Sequence, residues 1–324
     1  MALRIEVNDH TDVPLSRAHD FAVRAENAGI DGVGVHDHQG SGHDVYLRLA
    51  EIANQTTTVT LFPSVTNPVT RHPAVLAANA NSLAELHPGR IRIAMGSGDQ
   101  ATSAVGLKAA SVAAMRESAM GIRALLRGES ATLQGTTIRK LDHVSENPAL
   151  LFVNASSPRM LAMAGEAGDG VYAMVGVHPA VVMRARDHIA SGASGRDVPV
   201  ALGVPIYMGE SREAALEGIR AYVFSNISKP HKVFTTVMRE LHPDLPAFER
   251  ADDIPEDVLA TLADGVGIVG TPTECGERLA AFVRETKAQH IVGRVFYAGA
   301  DQIVALDALI EDVLPSVSVG VGGA

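Results

Sequence analysis

An acid and a histidine stand next to each other where a short apolar segment ends. Asp37 and His38 follow the sequence GVGV at residues 32–35 and the histidine His36. A carboxylate beside an imidazole suits general acid–base catalysis, because the pKa of histidine lies close to neutral pH. The pair could instead belong to the N-cap region of the next helix. We favour catalysis, with His38 moving a proton, because catalytic side chains commonly follow the ends of buried strands.

A second acid, Glu6, lies inside the first apolar segment, LRIEV. Burying a charged side chain is unfavourable unless the charge is paired. Glu6 could therefore face a ligand and donate or relay a proton, or it could form a buried ion pair, for example with an arginine. Both interpretations stay open, and Glu6 joins His38 as a candidate catalytic residue.

The loop GSGD at residues 96–99 contains Gly98 and Asp99. Small residues let a ligand approach the backbone closely. The loop could also be a plain turn in which Asp99 serves as a cap. By itself it supports either interpretation.

A more specific pattern occurs at residues 154–159, NASSPR. Ala155, Ser156 and Ser157 precede Pro158, which occupies the favoured first position of a helix. Free N–H groups at the positive end of a helix, together with hydroxyls, bind anions such as phosphate. A capping role alone explains one serine well and two less well. We therefore expect this loop to hold an anionic ligand.

No metal site is predicted. The 13 histidines are scattered and Cys275 is the only cysteine. His36 and His38 could bind a metal in principle, but neighbouring strand residues such as His36 and Asp37 point to opposite faces. The sequence also lacks a P-loop and a Gly-x-Ser-x-Gly nucleophile motif.

Short apolar strands alternate with longer amphipathic helices along the chain, and the alternation predicts eight strand–helix units. The predicted strands lie at residues 3–7, 32–37, 59–65, 90–96, 149–155, 170–176, 198–209 and 290–299. They are rich in β-branched residues and show little polar alternation, which is typical of parallel strands buried on both faces. Eight such units predict an α/β fold, a closed (β/α)8 TIM barrel. An open doubly wound sheet is the alternative, but no glycine follows the first strand, as that fold normally requires.

In such a barrel the loops that follow the strands carry the chemistry. The polar residues collect there, whereas the opposite loops contain ordinary turn sequences. The stretch SVTNPVTRHP, with Ser64, Val65, Thr66 and Asn67, therefore lies at the same mouth, as does Gly176 after the sixth strand.

Two segments interrupt the alternation. Residues 128–148 predict a small hairpin after the fourth helix, and residues 225–272 predict a partly helical insertion between the seventh and eighth strands. Long insertions in barrels commonly cover the active mouth. Because no low-complexity linker occurs, we expect residues 1–324 to form one domain.

The composition of the chain argues against several classes of protein function. The formal net charge of −10, without a basic face, argues against nucleic-acid binding. No apolar run approaches the length of a membrane helix, and the N-terminal residues do not resemble a signal peptide. A single cysteine fits a reducing compartment. We expect a cytoplasmic protein that acts on a small molecule.

Several of these motifs together resemble the bacterial-luciferase-like superfamily. They are GVGVHDH, SVTNPVTRHPAVLAANANSLAEL, GRIRIAMGSGD, NASSPRMLAMAGEAGDGV and GTPTECGERLAAF, and they span nearly the whole chain. Within the superfamily the chain is most similar to methylenetetrahydromethanopterin reductases and related oxidoreductases that use the deazaflavin coenzyme F420.

This resemblance implies roles for the residues at the mouth. The deazaflavin ring would lie against residues 64–67, where family members carry a non-proline cis peptide that would fall at Ser64–Val65. Asp37 and His38 would contact the ring or the substrate, and Glu6 would donate or relay a proton. Residues 155–157 would hold the cofactor's phosphate. Asp99 would lie near the cofactor's side chain or ring edge.

The implied activity is F420-dependent hydride transfer to or from a small organic substrate. An FMN-dependent monooxygenase of the two-component type is the first alternative. A non-catalytic flavin-binding barrel is the second. The resemblance also implies a homodimer, with the second and third helices as candidate contact surfaces.

Overall fold

The computed structural model describes residues 3–321, without the side chains of residue 41 and residues 318–321. Its strands are β1 (Arg4–Asp9), β2 (Gly32–Val35), β3 (Thr60–Pro63), β4 (Arg92–Met95), β5 (Ala131–Leu133), β6 (Thr136–Ile138), β7 (Leu150–Ala155), β8 (Gly170–Ala173), β9 (Val200–Met208), β10 (Ile268–Gly270) and β11 (His290–Tyr297). Its helices are α1 (Asp20–Asn27), α2 (Val45–Gln55), α3 (Pro73–Leu86), α4 (Asp99–Ser103), α5 (Val112–Leu126), α6 (Pro158–Ala167), α7 (Pro179–Ala193), α8 (Arg212–Ile227), α9 (Val233–Leu241), α10 (Glu256–Val266), α11 (Pro272–Thr286), α12 (Gln302–Ala308) and α13 (Leu314–Val321).

Eight of these strands form a parallel barrel, which confirms the predicted fold. Their order is β3-β2-β1-β11-β9-β8-β7-β4. Parallel bridges between Leu61 and Ile91, and between Thr66 and Met95, close the ring between β3 and β4. All eight strands lie within the predicted segments or extend them by one or two residues.

Helices begin where the sequence provides start signals. Proline occupies the first turn of α3, α6, α7 and α11, where its missing N–H group is no loss. The Asp44 side chain caps α2 by accepting from the N–H groups of Tyr46 and Leu47. Thr271 and Glu274 form a capping box at α11. Each helix that packs on the barrel places an apolar face against it.

Both interruptions of the alternation occur where the sequence predicted them. The first contains the antiparallel hairpin β5–β6. The second contains α9, α10 and β10, and β10 pairs in parallel with the end of β9. The sequence did not predict β10, because three residues are too few to show a strand pattern.

Side chains fill the barrel interior. A small cluster of Phe62, Ala94, Phe152, Tyr172, Ala201 and Val292 occupies its middle. Gly203 leaves space for Met174, since a Cβ at residue 203 would lie 2.0 Å from the Met174 sulfur. The interior is therefore a packed core, and any ligand site must lie above it, at one end.

None of the described helices combines the length and the apolarity that crossing a membrane would require.

Candidate active site

Glu6 does not lie at the mouth, and its assignment as a catalytic residue is wrong on position. In β1 it pairs in register with Gly32, the first residue of β2, and with Val292 near the start of β11. It therefore lies toward the amino-terminal end of the barrel. Its carboxylate is fully buried and binds the Arg92 guanidinium, with Arg92 Nη1 at 3.0 Å. The alternative of a buried ion pair with an arginine is the one that the structure shows.

Two further basic side chains complete the Glu6 cluster. Arg4 Nε donates to the carboxylate at 2.8 Å, and His290 Nε2 lies 3.0 Å from it. Burial by itself would raise the pKa of Glu6, but Arg92 and His290 outweigh burial and hold that pKa well below its usual range. Glu6 is thus an anion at neutral pH that ties three strands together, β1, β4 and β11.

Every second residue of β1 and its continuation faces the barrel interior, in a row that runs from the amino-terminal end up to the carboxyl-terminal mouth. Glu6, Asn8 and His10 alternate with residues that face the helices. On the second strand the same alternation places Gly32, Gly34 and then His36 and His38 on the inner side. His38 therefore lies at the mouth, as expected, with two further histidines beside it.

These histidines are part of a continuous wall of rings. The centroids of His38 and His36 are 5.6 Å apart, and those of His36 and His10 are 5.3 Å apart. His10 stacks on Phe296 at 6.1 Å, and Phe296 stacks on Tyr207 at 4.7 Å. Tyr207 in turn lies 6.4 Å from Tyr222 of α8. The wall lines one side of the mouth, from β2 across β1 and β11 to β9.

Two histidines of the wall are held neutral. Burial, followed by the nearby Arg294, lowers the pKa of His10 to about 3. Burial, followed by His38, also lowers the pKa of His36. The lowered pKa values therefore disfavour the imidazolium form of both rings near neutral pH.

The loop after β3 lines the mouth next to the β2 end of this wall, between β2 and β4. The peptide bond between Ser64 and Val65 is cis, at the position that the resemblance implied. The Thr66 N–H donates to Ala94 O at 2.9 Å, and the Gly96 N–H donates to Thr66 O at 2.9 Å, so the bulge is held against β4. Val65 packs on the interior cluster, and a Cβ at Gly96 would lie 2.9 Å from its side chain. Glycine at residue 96 therefore lets the bulge approach β4 closely.

The other bulge residues support this loop from behind. Thr66 is fully buried, with its hydroxyl toward that of Tyr46, so its side chain does not face the mouth. The Asn67 side-chain oxygen accepts from the N–H groups of Val69 and Thr70 at 3.1 and 2.8 Å. Its amide nitrogen is buried without a partner in the described part of the chain. Gly98, with φ of +92°, lies against Asn67.

Asp37 supports the bulge too. Its buried carboxylate accepts from Arg71 at 2.7 Å, and Arg71 also donates to Asp44 at 2.7 Å. The Arg71 guanidinium lies over the Tyr46 ring at 5.5 Å. Because Asp37 faces away from the barrel axis and is neutralised by Arg71, its expected contact with the cofactor is not what the structure shows. Asp37 and Arg71 instead fix the loop after β3 to the end of β2.

A polar network lies directly beneath the mouth. The side-chain amide of Asn8 donates to the Tyr172 hydroxyl at 3.1 Å, and the Ser64 hydroxyl also hydrogen-bonds to that phenol. Gly34 makes room for it, since a Cβ there would lie 2.4 Å from the Asn8 side-chain oxygen. That oxygen is itself buried without a partner among the described residues.

The loop at residues 155–157 has the features of an anion site. Ser157 is the N-cap of α6, but its side chain makes no capping hydrogen bond. The Ser157 carbonyl accepts the first intrahelical bond, from Leu161, which leaves the preceding helical N–H groups free. The Val233 N–H at the start of α9 donates to Ser156 O at 3.0 Å. The second insertion thus contacts this loop directly.

Lysines from the same insertion reach the rim. Lys229 Nζ lies 3.7 Å from the exposed carboxylate of Asp99. Lys232 Nζ donates to Asn226 at 2.7 Å. Burial, followed by Lys229, lowers the pKa of Lys232 to about 8. Gly176, which the sequence placed at the mouth, has φ of +92° and packs against the Gly265 carbonyl of α10.

Sequence reasoning missed several residues of the mouth. They are Asn8, His10, His36, Tyr172, Tyr207, Tyr222, Arg294 and Phe296. The period of two along NDH and HDH could have revealed the histidines, since it places His10 in line with Glu6 and His36 in line with His38. Among the described residues no group of histidine, cysteine and acidic side chains is arranged to hold a metal ion.

A family profile and individual relatives match this chain over most of its length. The profile of the family described as luciferase-like monooxygenase matches residues 2–290. A 5,10-methylenetetrahydromethanopterin reductase from Methanolobus tindarius is 29% identical over 288 residues, covering 83% of this chain and 87% of that protein. An F420-dependent glucose-6-phosphate dehydrogenase from Kineococcus radiotolerans is 27% identical over 320 residues, covering 91% of each.

A solved structure shares the fold. It is the coenzyme F420-dependent tetrahydromethanopterin reductase from Methanopyrus kandleri, with a TM-score of 0.77 at 20% sequence identity. The similarity covers 97% of this chain and 99% of that one.

Proposed function

The chain belongs to the luciferase-like monooxygenase family, and we propose that it is an oxidoreductase that transfers a hydride between coenzyme F420 and a small organic substrate. The observation that carries the proposal is the convergence on one mouth of His38, the bulge at residues 64–67 and the uncapped start of α6. The glucose-6-phosphate dehydrogenase from Kineococcus radiotolerans and the reductase from Methanopyrus kandleri, both described as F420-dependent, match this chain over most of their length and support the same cofactor.

The residues present fit a flat ring with an anionic tail. Val65 on the bulge and the adjoining ring wall would enclose the deazaflavin. Buried polar atoms of the mouth and of the loop behind it have no partner among the described residues, among them Asn8 Oδ1, His10 Nε2 and Asn67 Nδ2. Buried polar atoms are normally hydrogen-bonded, so a polar ligand at this position would complete them. Ser156, Ser157 and the free N–H groups of α6 would hold the phosphate.

When bound, the deazaflavin supplies the hydride chemistry. The protein then has to position the reactants and handle a proton. His38 is suited to the second task, because it stands at the outer end of the ring wall and its neighbour His36 is held neutral. Asp99 is exposed at the rim beside Lys229, where it can contact the tail of the cofactor.

Replacing His38 by alanine is expected to reduce hydride transfer by about 10²–10⁴-fold, as for loss of a general acid–base group. F420 affinity should change little, since the ring and phosphate contacts remain. The measurement is the anaerobic change in F420 absorbance during turnover with a panel of alcohols, aldehydes and unsaturated acids. His242, exposed on the second insertion, provides the matched control His242→Ala, with full activity expected. Equal rates for wild type and His38→Ala would remove His38 from the mechanism.

The second candidate is an FMN-dependent monooxygenase, and the description of the matching family favours it. One experiment distinguishes the two activities. Oxygen consumption with FMN and a flavin reductase supports the monooxygenase, and hydride transfer with F420 in the absence of oxygen supports the proposed function. Absence of both activities, with ligand binding retained, would support a non-catalytic flavin-binding barrel.

A homodimer is part of the proposal. Large apolar side chains are exposed on the two helices that the sequence predicted as contact surfaces: Leu47 on α2, and Val75 and Leu86 on α3. Exposed apolar residues of this size commonly mark protein interfaces. Sedimentation analysis of the wild type and of Leu86→Glu reports whether these helices pair.

A further inference from the structure

We propose that Arg294 binds a carboxylate group of the substrate, so that the protein acts on organic acid anions. This inference rests on the proposed function and specifies the substrate class of the same site. Arg294 lies on β11, whose residues His290 and Val292 face the barrel interior. Two residues further on, Arg294 and then Phe296 continue this inner row up to the mouth.

Within residues 3–321 the Arg294 guanidinium has no anionic partner. The hydrogen bonds and ion pairs within residues 3–321 include none to Arg294, and its Nε atom is buried without a partner. A buried guanidinium N–H group is unfavourable unless an acceptor satisfies it. By contrast, Arg92 and Arg48, which are buried in the barrel, each have a carboxylate: Arg92 has Glu6 and Arg48 has Asp9. A ligand is therefore the natural source of the acceptor that Arg294 lacks.

The neighbours of Arg294 hold its position without neutralising it. The guanidinium carbon lies 5.1 Å from the centre of the Phe296 ring and 5.6 Å from that of Tyr222. His10 and His36 are held neutral, and Arg294 contributes to the lowering of both pKa values. The acid nearest to the end of β2, Asp37, is already paired with Arg71. Arg294 thus places one uncompensated positive charge within a wall of aromatic rings.

A carboxylate matches this site better than a phosphate does. A guanidinium presents a planar fork that binds a carboxylate through two parallel hydrogen bonds. The single negative charge of the carboxylate also balances the single positive charge of Arg294. The site for the cofactor's phosphate lies elsewhere, since β9 and β8 separate β11 from β7, the strand that precedes α6. The ring wall then leads from Phe296 through His10 and His36 to His38. A substrate anchored at Arg294 would extend along this wall toward the proton-handling group.

The test compares carboxylates with their neutral amides. Benzoate against benzamide, and butyrate against butyramide, are titrated calorimetrically into the wild type, Arg294→Gln and Arg294→Lys. In the wild type at least one acid should bind about 10-fold more tightly than its amide, as one charge-assisted hydrogen bond would give. Arg294→Gln should abolish this preference and Arg294→Lys should retain part of it. Arg139→Gln, an exposed arginine on the hairpin, is the matched control and should keep the preference in full.

Several results would overturn the inference. They are equal binding of acids and amides by the wild type, an acid preference that survives in Arg294→Gln, and tighter Arg294-dependent binding of inorganic phosphate than of either acid. Displacement of bound benzoate by F420, with loss of F420 affinity in Arg294→Gln, would assign Arg294 to the cofactor instead. Failure of the wild type to bind F420 would overturn the proposed function alone, because the carboxylate titrations are made without the cofactor.

Discussion

Replacing Arg92 by alanine is expected to destabilise the protein by about 3–5 kcal/mol, because the variant leaves a buried carboxylate without its main partner. Glu6 is fully buried, and Arg92 lies between the Phe62 and Phe152 rings, at 3.9 and 4.6 Å from their centres. The variant therefore loses packing in the barrel as well as charge compensation. Urea unfolding of the wild type and the variant measures the difference in free energy.

An exposed ion pair provides the control. Arg116 and Glu166 are both close to half exposed, so Arg116→Ala should change stability by less than about 1 kcal/mol. F420 affinity of folded Arg92→Ala should match the wild type, since the cluster lies at the far end of the barrel from the mouth. If Glu6→Gln instead kept full stability and lost hydride transfer, Glu6 would be catalytic and its assignment as a structural anion would be wrong.

The Glu6 cluster also determines whether the stability of the fold rises or falls with pH. The pKa of Glu6 is lowered in the folded protein relative to its unfolded value of about 4.3, so the group stabilises the fold at neutral pH. That contribution is present above the unfolded pKa and is lost as the pH falls below it. Wild-type stability should therefore fall more steeply on acidification than that of Glu6→Gln.

Replacing Arg71 by alanine is expected to have two effects. It should destabilise the protein by about 3 kcal/mol, because Asp37, whose side chain is 2% exposed, would lose its partner. It should also weaken F420 binding about 10-fold or more, since a supporting contact of the ring-binding loop is lost. Urea unfolding and fluorescence titration with F420 measure the two effects. Arg71→Lys should restore only part of either, because an ammonium group cannot bridge Asp37 and Asp44 as a guanidinium does.

A double variant separates charge from packing. Asp37→Asn combined with Arg71→Ala removes the uncompensated carboxylate, so it should recover part of the stability that Arg71→Ala loses. Arg17→Ala, which removes an exposed pair with Asp20, is the surface control. Unchanged stability and unchanged F420 affinity in Arg71→Ala would show that Asp37 and Arg71 do not support the site.

The sequence was sufficient to predict the barrel because the strands are buried on both faces and the helices carry clear start signals. It also placed the bulge and the α6 loop correctly at the mouth, since the carboxyl ends of parallel strands share one end of a barrel. Local signals of this kind depend on residues that are close together in the chain, so a single sequence contains them.

Glu6 shows where such reasoning failed. Glu6 was expected to face either a ligand or an ion-pair partner, but the strand was predicted to end at residue 7 and continues to Asp9. This difference of two residues moves the last inward-facing residue of the strand from Glu6 to Asn8, and His10 follows at the mouth. The partner of Glu6 could not be predicted either, because Arg92 is 86 residues away along the chain.

Asp37 and Arg294 show two further limits of predicting the site from the sequence. The sequence analysis paired Asp37 with His38 because the two residues are adjacent. Adjacent strand residues face opposite sides, however, and Asp37 forms its ion pair with Arg71. Arg294 lies within an apolar strand, where its charge had no visible partner in the sequence. Only the packing of β11 against its neighbours reveals that the partner is absent in the described fold as well.

Fluorescence titration of the purified protein with F420, and in parallel with FMN, most directly tests whether the barrel mouth is a deazaflavin site. We expect saturable quenching of F420 fluorescence at one site per chain, with distinctly weaker binding of FMN and weakened F420 binding in Arg71→Ala. No response to F420, or tighter binding of FMN than of F420, would contradict the proposed cofactor.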